Sequence, residues 1–242
     1  MLGLSTTSSE PSASDQLDAL IAHARQRLTD YQSAAYALRY QNLIDRVRAT
    51  ERAALSSDTP LQLTRQVAIN YAKLLAHKDE FEVARLYTDG SLERALAEQF
   101  TGDYAVHYHI APDYLVRERP DGRPLVKRNF GPSARLCLKL LASLRGLRGT
   151  LLDPFAWSST RRDERALAVE YAHTIEQLLP GLNARNLASA VQIAALPERV
   201  RGFGRVRQVA AAAMREQAAA LLAHRGPYDL TSQPPARSQY DA

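Results

Sequence analysis

Apolar side chains recur every three or four residues over most of this chain, and this periodicity is the strongest constraint on its fold. One stripe in residues 31–54 is formed by Tyr36, Tyr40, Leu43, Ile44 and Val47, with neither glycine nor proline in the interval. Such a pattern is typical of an amphipathic helix packed on a core. Comparable stripes occur on both sides of this segment. The sequence therefore predicts a mainly α fold, a helical domain of about eight helices.

Two short segments depart from the helical pattern. Residues 104–110, YAVHYHI, alternate in polarity and are rich in β-forming side chains. Residues 124–130 supply a second such segment, and Pro120-Asp121-Gly122 between them is typical of a turn. We therefore expect a small β-hairpin near residues 104–130. At a later helix, Thr59 is predicted to be the N-cap because Pro60 follows it.

The ends of the chain differ in composition from its middle. Residues 1–14 are rich in Ser, Thr, Pro and Ala, and residues 226–242 contain three prolines. Both segments are predicted to be disordered, because they offer little apolar surface to bury. The 242-residue length suits one domain. Residues 15–225 are therefore predicted to form a single helical domain.

Composition also indicates a compartment. No run of apolar residues approaches the eighteen that a membrane span needs, so no membrane partner is expected. The first residues lack the basic and apolar regions of a secretion signal. The one cysteine, Cys137, lies beside a leucine-rich stripe and is predicted to be an inert buried thiol. These features together predict a cytoplasmic protein.

Basic residues are concentrated in one part of the chain. Residues 117–165 contain twelve Lys and Arg against five Asp and Glu, whereas the net charge of the chain is only +5. Such a region can attract phosphate, an acidic protein surface or nucleic acid. Nucleic acid is the least favoured of these three partners, because the arginines follow no recognition-helix or RNA-binding pattern.

Arginines flank a loop rich in glycine and proline within this basic region. Phe155 and Trp157 lie in the loop, and an arginine beside an aromatic ring can bind a nucleotide through phosphate and base. Alternatively the two rings fill the loop interior, and the arginines face water or an acidic partner. The candidate contacts are Arg145, Arg148, Arg161 and Arg162.

Further along the chain, arginines also surround Gly202-Phe203-Gly204. The glycines allow a tight kink before the last helix. A second interpretation is a backbone anion site, with Arg201 and Arg205 as the candidate contacts on its two sides.

A run of charged residues, KDEFEVAR, begins at Lys78. Its spacing favours surface pairs in which Asp79 or Glu82 contacts Lys78 or Arg85 three or four residues away. An internal ion pair or a docking contact by the same four residues is the alternative. No catalytic, cofactor-binding or metal site is predicted. The candidate metal pair, His107 and His109, has no third ligand at a recognisable spacing, so solvated or hydrogen-bonded histidines are expected.

Four spaced blocks of sequence resemble, in the same order, the C-terminal domain of indolepyruvate ferredoxin oxidoreductases, members of the 2-oxoacid:ferredoxin oxidoreductases. In chain order they are LTDYQSAAYALRYQNLIDRVRATE (28–51), NYAKLLAHKDEFEVARLYTDG (70–90), LRGLRGTLLDPFAWSSTRRDERAL (144–167) and LPERVRGFGRVR (196–207). The resemblance extends over roughly residues 15–224.

This resemblance implies an overall reaction in which an aryl 2-oxo acid, CoA and oxidised ferredoxin give acyl-CoA, CO2 and reduced ferredoxin. The sequence has no Gly-Asp-Gly turn followed by the asparagine of a thiamine-diphosphate site, and one cysteine cannot hold a cluster. Thiamine diphosphate, Mg²⁺ and a 4Fe–4S cluster are therefore expected on partner domains or a partner chain.

The role that this resemblance implies is structural or docking, against those catalytic domains or in homodimer contacts, without an active site of the chain's own. The CoA phosphate is then a candidate guest for the arginine-flanked loop. The alternative hypothesis is an independent helical adaptor, whose basic arginine-rich face binds an acidic protein or a CoA-like ligand.

Overall fold

A computed structural model describes residues 12–55, 59–110, 128–156, 158–202 and 204–223. This part of the chain is mainly α-helical, as predicted, with nine α-helices and a two-stranded antiparallel sheet. The helices are α1 (Ala13–Tyr31), α2 (Ala34–Ala54), α3 (Gln62–Leu75), α4 (Glu80–Leu86), α5 (Ser91–Gln99), α6 (Ala134–Ser143), α7 (Ser159–Leu178), α8 (Leu187–Ala195) and α9 (Gly204–Ala223). Short 3-10 helices cover Leu144–Leu147 and Leu196–Arg199.

The predicted β-hairpin is confirmed as an antiparallel pair of strands. Strand β1 (Tyr108–Ile110) pairs with β2 (Arg128–Phe130), and Tyr108 lies opposite Phe130. Strand β1 is shorter than the predicted 104–110. Residues 124–127 of the predicted second strand and the predicted turn at 120–122 lie outside the described residues. Most of the two predicted disordered ends lie outside them too. In the described helices, none is long and apolar enough to cross a membrane.

The described residues form two compact units. The first unit contains residues 12–30, 34–75 and 165–223, and the second contains residues 31–33 and 76–164. The single domain expected from the sequence stays a prediction.

The core of the first unit contains a row of tyrosines. The rings of Tyr40 and Tyr71 stack with their centroids 6.2 Å apart, and the Tyr71 and Tyr171 rings are 6.1 Å apart. The Tyr40 hydroxyl donates to the Ala68 carbonyl at 3.3 Å, and the Tyr171 hydroxyl donates to that of Ala194 at 2.8 Å. Burial raises the pKa of Tyr40 and of Tyr171, so both hydroxyls remain protonated donors.

A buried carboxylate caps helix α3 in the same unit. Glu51, near the end of α2, is 0% exposed and accepts hydrogen bonds from the Leu63 and Thr64 amides at 2.8 and 2.7 Å. The Thr64 hydroxyl also donates to Glu51, at 2.6 Å. The first amides of a helix have no partner inside it, so this side chain supplies the missing acceptor. The predicted N-cap, Thr59, lies before the helix, which begins at Gln62.

The second unit has a smaller core. Helix α4 packs against α6, and Phe81 of α4 is fully buried with its ring edge-on to Phe155 at 5.3 Å. The Tyr87 ring contacts Tyr108 of β1 at the same centroid distance, 5.3 Å. Helices α5 and α6, in contrast, contain no buried residue.

Candidate functional site

Asp79 occupies the centre of a buried ion cluster in the second unit. Its backbone is extended, and its Oδ1 accepts from the Glu82 amide at 2.8 Å, so it is the N-cap of α4. The same carboxylate binds two arginines that the chain supplies from much later in the sequence. Its side chain is 1% exposed. Asp79 therefore caps a short helix through a local contact, and arginines that are distant in the sequence neutralise its charge.

Both arginines of the cluster are buried. Arg148 donates from Nε to Asp79 Oδ2 at 2.6 Å and from Nη2 to Oδ1 at 2.8 Å, so the two side chains form a bidentate salt bridge. Arg161 donates from Nη1 to Oδ2 at 3.2 Å, and its Nη2 pairs with Glu80. Each arginine is 5% exposed.

Tyr31, the last residue of α1, completes this arrangement. Its hydroxyl donates to Asp79 Oδ2 at 3.1 Å, and its carbonyl accepts from Arg148 Nη1. The Arg148 guanidinium carbon lies 3.6 Å from the centroid of the Tyr31 ring, a cation–π contact. We call Tyr31, His77, Asp79, Arg148 and Arg161 the Asp79 cluster.

The charges of the Asp79 cluster stabilise each other. Burial acts to raise the pKa of Asp79, but the hydrogen bond and charge of Arg148, the Glu82 amide and the Arg161 charge outweigh it, so this pKa is lowered. Burial acts in the opposite direction on Arg148, and the Asp79 hydrogen bond overcomes it, so the pKa of Arg148 is raised. Both groups therefore stay ionised, and the contacts of the cluster are those of a buried structural ion pair.

His77 lies at the edge of the cluster. Its Nδ1 is 3.5 Å from the Tyr31 hydroxyl, and its Nε2 is 3.9 Å from Asp79 Oδ2. Burial lowers the pKa of His77; Asp79 and Glu164 act to raise it, whereas Arg161 and Arg148 act to lower it further. The net direction is downward, so the folded protein favours the neutral ring.

This lowered pKa predicts a loss of stability in mild acid. An unfolded histidine takes up its proton below about pH 6.5, whereas folded His77 does so only at lower pH. The free energy of unfolding should therefore fall as the pH drops below that value, by at most about 1.4 kcal/mol per pH unit for one proton. Urea unfolding between pH 7.5 and 4.5 measures the slope.

His77→Gln should remove this part of the pH dependence and leave the fall at lower pH that Asp79 causes. His173→Gln, a change at an exposed histidine of α7, is the matched control. An unchanged slope in His77→Gln would contradict the assignment.

The four arginines beside the loop do not share one environment. Arg148 and Arg161 are in the Asp79 cluster, whereas Arg145 is half-buried and Arg162 is exposed. Phe155 fills the loop interior, with the Arg161 guanidinium carbon 5.0 Å from its ring centroid. Trp157 lies outside the described residues. A nucleotide, CoA or partner contact stays a prediction, and only Arg145 and Arg162 of the four remain accessible for it.

The charged residues of the run that begins at Lys78 also lie in different environments. Glu82 and Arg85 form the predicted local pair, with hydrogen bonds of 2.9 and 2.8 Å, and Arg85 also contacts Asp89 at 3.2 Å. Asp79 binds the distant arginines instead. Lys78 is exposed and borders an apolar groove of about 450 Å³ that is otherwise lined by Val83, Leu86, Tyr87, Ser91, Leu92 and Ala95.

The glycine kink before α9 is present in the first unit. Gly202 has a φ of 91°, and a Cβ atom there would lie 2.9 Å from Val206 Cγ1, so glycine suits this position on two grounds. Arg201 is exposed, and its Nε donates to the Glu198 carbonyl at 3.1 Å. Phe203 and the Arg205 side chain lie outside the described part. The anion site at this kink stays a prediction.

The described residues form no group of three or more His, Cys, Asp or Glu that could hold a metal ion. His107 and His109 are both exposed.

Helix α6 exposes a row of leucines. Leu136 is 76% exposed, Leu140 is 64% exposed and Leu144, directly after the helix, is 38% exposed. Cys137 is exposed beside them, so the prediction of a buried thiol is wrong. The same apolar periodicity arises for a core stripe and for a stripe on the surface, which explains the error. We call Leu136, Leu140 and Leu144 the α6 leucine face.

The fold and these sites define a mainly helical protein with a buried ion cluster and an exposed leucine face. The chain belongs to a family of unknown function, DUF6537, whose model matches residues 17–220. No curated protein and no solved structure matches it.

Proposed function

We propose that this chain is a docking domain or detached subunit of a 2-oxoacid:ferredoxin oxidoreductase similar to the indolepyruvate enzymes. Its role is to bind the chain that carries thiamine diphosphate, Mg²⁺ and the 4Fe–4S cluster. The bond-breaking steps then occur on that partner, which converts an aryl 2-oxo acid, CoA and oxidised ferredoxin into acyl-CoA, CO2 and reduced ferredoxin.

The sequence blocks that carry the resemblance supply contacts that stabilise this fold. Three of them supply the Asp79 cluster: Tyr31 comes from one, Asp79 from the next, and Arg148 with Arg161 from the third. The fourth block lies within the first unit, where the Lys73 Nζ donates to the Pro197 carbonyl at 2.8 Å. The blocks that carry the resemblance therefore contain residues that stabilise the fold. This agrees with a domain that binds a partner and carries out no chemical step itself.

The observation that supports the docking role in this proposal is the exposed α6 leucine face. Single exposed leucines are ordinary on protein surfaces, but two on a helix that has no buried residue, followed by a third directly after its end, form an apolar row that is not. Fully burying one leucine contributes about 1.5–3 kcal/mol, so covering this face would supply several kcal/mol to an association. A domain built to dock would leave such a face for its partner.

Affinity purification from the native source tests the proposal. The tagged chain should retain a brown iron–sulfur protein that contains thiamine diphosphate and reduces ferredoxin with an aryl 2-oxo acid and CoA. Leu140→Asp should lower the recovered activity at least about tenfold, because it places a charge inside the interface.

The matched control is Val209→Asp on α9, where the valine is also exposed, at 63%, but lies outside the α6 leucine face. Equal recovery by both variants would show that this face does not dock the partner. Recovery of no iron–sulfur protein by the unmodified chain would contradict the proposed function itself.

One observation favours the second candidate, an independent adaptor for an acidic protein. Residues 131–152 contain no aspartate or glutamate, and the exposed Lys139 lies within this stretch. An adaptor predicts a colourless chain that functions without an oxidoreductase partner, so the same purification separates the two candidates.

A further inference from the structure

We infer that the α6 leucine face binds a helical segment of a partner protein that carries leucines flanked by carboxylates. This inference rests on the proposed docking role, although it does not depend on which protein supplies the segment. It assigns both the surface and the chemistry that the surface recognises.

The geometry of α6 fits a helix as the occupant. Leu136, Leu140 and Leu144 are spaced four residues apart, so they form one ridge along the helix and the 3-10 turn that directly follows it. The half-buried Leu138 and Leu141 belong to the remainder of α6, which packs against α4. A ridge of this kind packs into the groove between the side-chain rows of a second amphipathic helix.

Charge determines which helix fits. Lys139 is exposed and precedes Leu140 directly, and Arg145 follows Leu144. Arg135 is already paired with Glu93, and no acid lies between residues 131 and 152. Two cations, Lys139 and Arg145, therefore border the leucine face, and residues 131–152 supply no acid to neutralise them. A partner with glutamate or aspartate beside its leucines matches this rim, because complementary rim charges select the partner.

Two other occupants fit less well. In a symmetric contact with a second copy, the basic rim of one α6 would face the same rim of the other, which is repulsive. Helices that lie on anionic membranes are usually rich in Lys and Arg along the polar face. Helix α6 has ten residues, and its only basic side chains are Arg135, paired with Glu93, and Lys139.

Cys137 makes the test direct, because it is the only cysteine of the chain and is exposed beside Leu136. The rate at which iodoacetamide alkylates Cys137 is followed by mass spectrometry, with and without a synthetic helical peptide. The probe carries leucines four residues apart and glutamates beside them. Two matched peptides replace either the glutamates with lysines or the leucines with alanines.

The glutamate–leucine peptide should slow alkylation about tenfold when its concentration is ten times its dissociation constant, by mass action. Both matched peptides should protect far less. Leu140→Ser should weaken binding about tenfold, which corresponds to about 1.4 kcal/mol. Val209→Ser should leave binding unchanged. Lys139→Glu should reverse the preference, so that the lysine–leucine peptide becomes the better ligand.

Several results would overturn the inference. Equal protection by the glutamate and lysine peptides would mean unselective apolar adhesion, and absence of protection would mean that the face does not take such a helix. Protection by phosphatidylserine vesicles alone would assign the face to a membrane. Protection that rises with protein concentration, with dimers in sedimentation, would assign it to a second copy.

Failure here and failure of the proposed function are distinguishable. The iron–sulfur partner would still be recovered in the affinity purification if the docking role is right and the assigned surface chemistry is wrong. Protection by the acidic peptide without recovery of that partner would instead support the surface and contradict the oxidoreductase.

Discussion

Asp79→Ala is expected to lower the free energy of unfolding by about 3–5 kcal/mol, the range for breaking one side of a buried ion pair. The change leaves the buried Arg148 guanidinium without its carboxylate partner and leaves Arg161 with Glu80 alone. It also removes the N-cap of α4. Urea unfolding at neutral pH measures the loss.

The matched control is Asp18→Ala, which breaks a surface pair with Arg48 and should cost less than about 1 kcal/mol. A further variant separates stranded charge from lost packing. Asp79→Leu combined with Arg148→Met removes both charges of the bidentate pair and leaves Arg161 with Glu80, so it should be less destabilised than Asp79→Ala. If Asp79→Ala lowers the free energy of unfolding no more than Asp18→Ala does, the Asp79 cluster does not stabilise the fold.

Glu51→Ala is expected to lower the free energy of unfolding by about 2–4 kcal/mol, because buried amides that lose their acceptor cost roughly 1–3 kcal/mol each. The Leu63 and Thr64 amides and the Thr64 hydroxyl all donate to this carboxylate. Hydrogen exchange at Leu63 and Thr64 should accelerate together with the loss of stability.

Glu51→Gln keeps one side-chain oxygen acceptor and should recover part of the loss. Glu98→Ala, at an exposed position of α5, is the control and should have little effect. Unchanged exchange at the two amides would contradict the capping role of Glu51.

The helices could be predicted from the sequence because each depends on a local repeat. A stripe such as that of α2 needs only side chains spaced three and four residues apart, and the alternation around Tyr108 likewise identified a strand. The start of α3 was less predictable. Thr59 and Pro60 form a familiar local start signal, whereas the acceptor used by the helix is Glu51, which comes from the preceding helix.

The Asp79 cluster could be predicted only in part, for the same physical reason. Local spacing correctly paired Glu82 with Arg85 but could not pair Asp79 with arginines 69 and 82 residues away. The α6 leucine face shows the opposite difficulty. Its spacing was evident in the sequence, but apolar periodicity alone does not indicate whether a stripe meets its own core or another protein.

The most direct test of the docking role is sedimentation of the untagged native protein with absorbance recorded in the visible range. The proposed function predicts that this chain sediments with an iron–sulfur chromophore, at a mass well above its own 26.8 kDa. A colourless species, sedimenting at the mass of the chain alone, would contradict it.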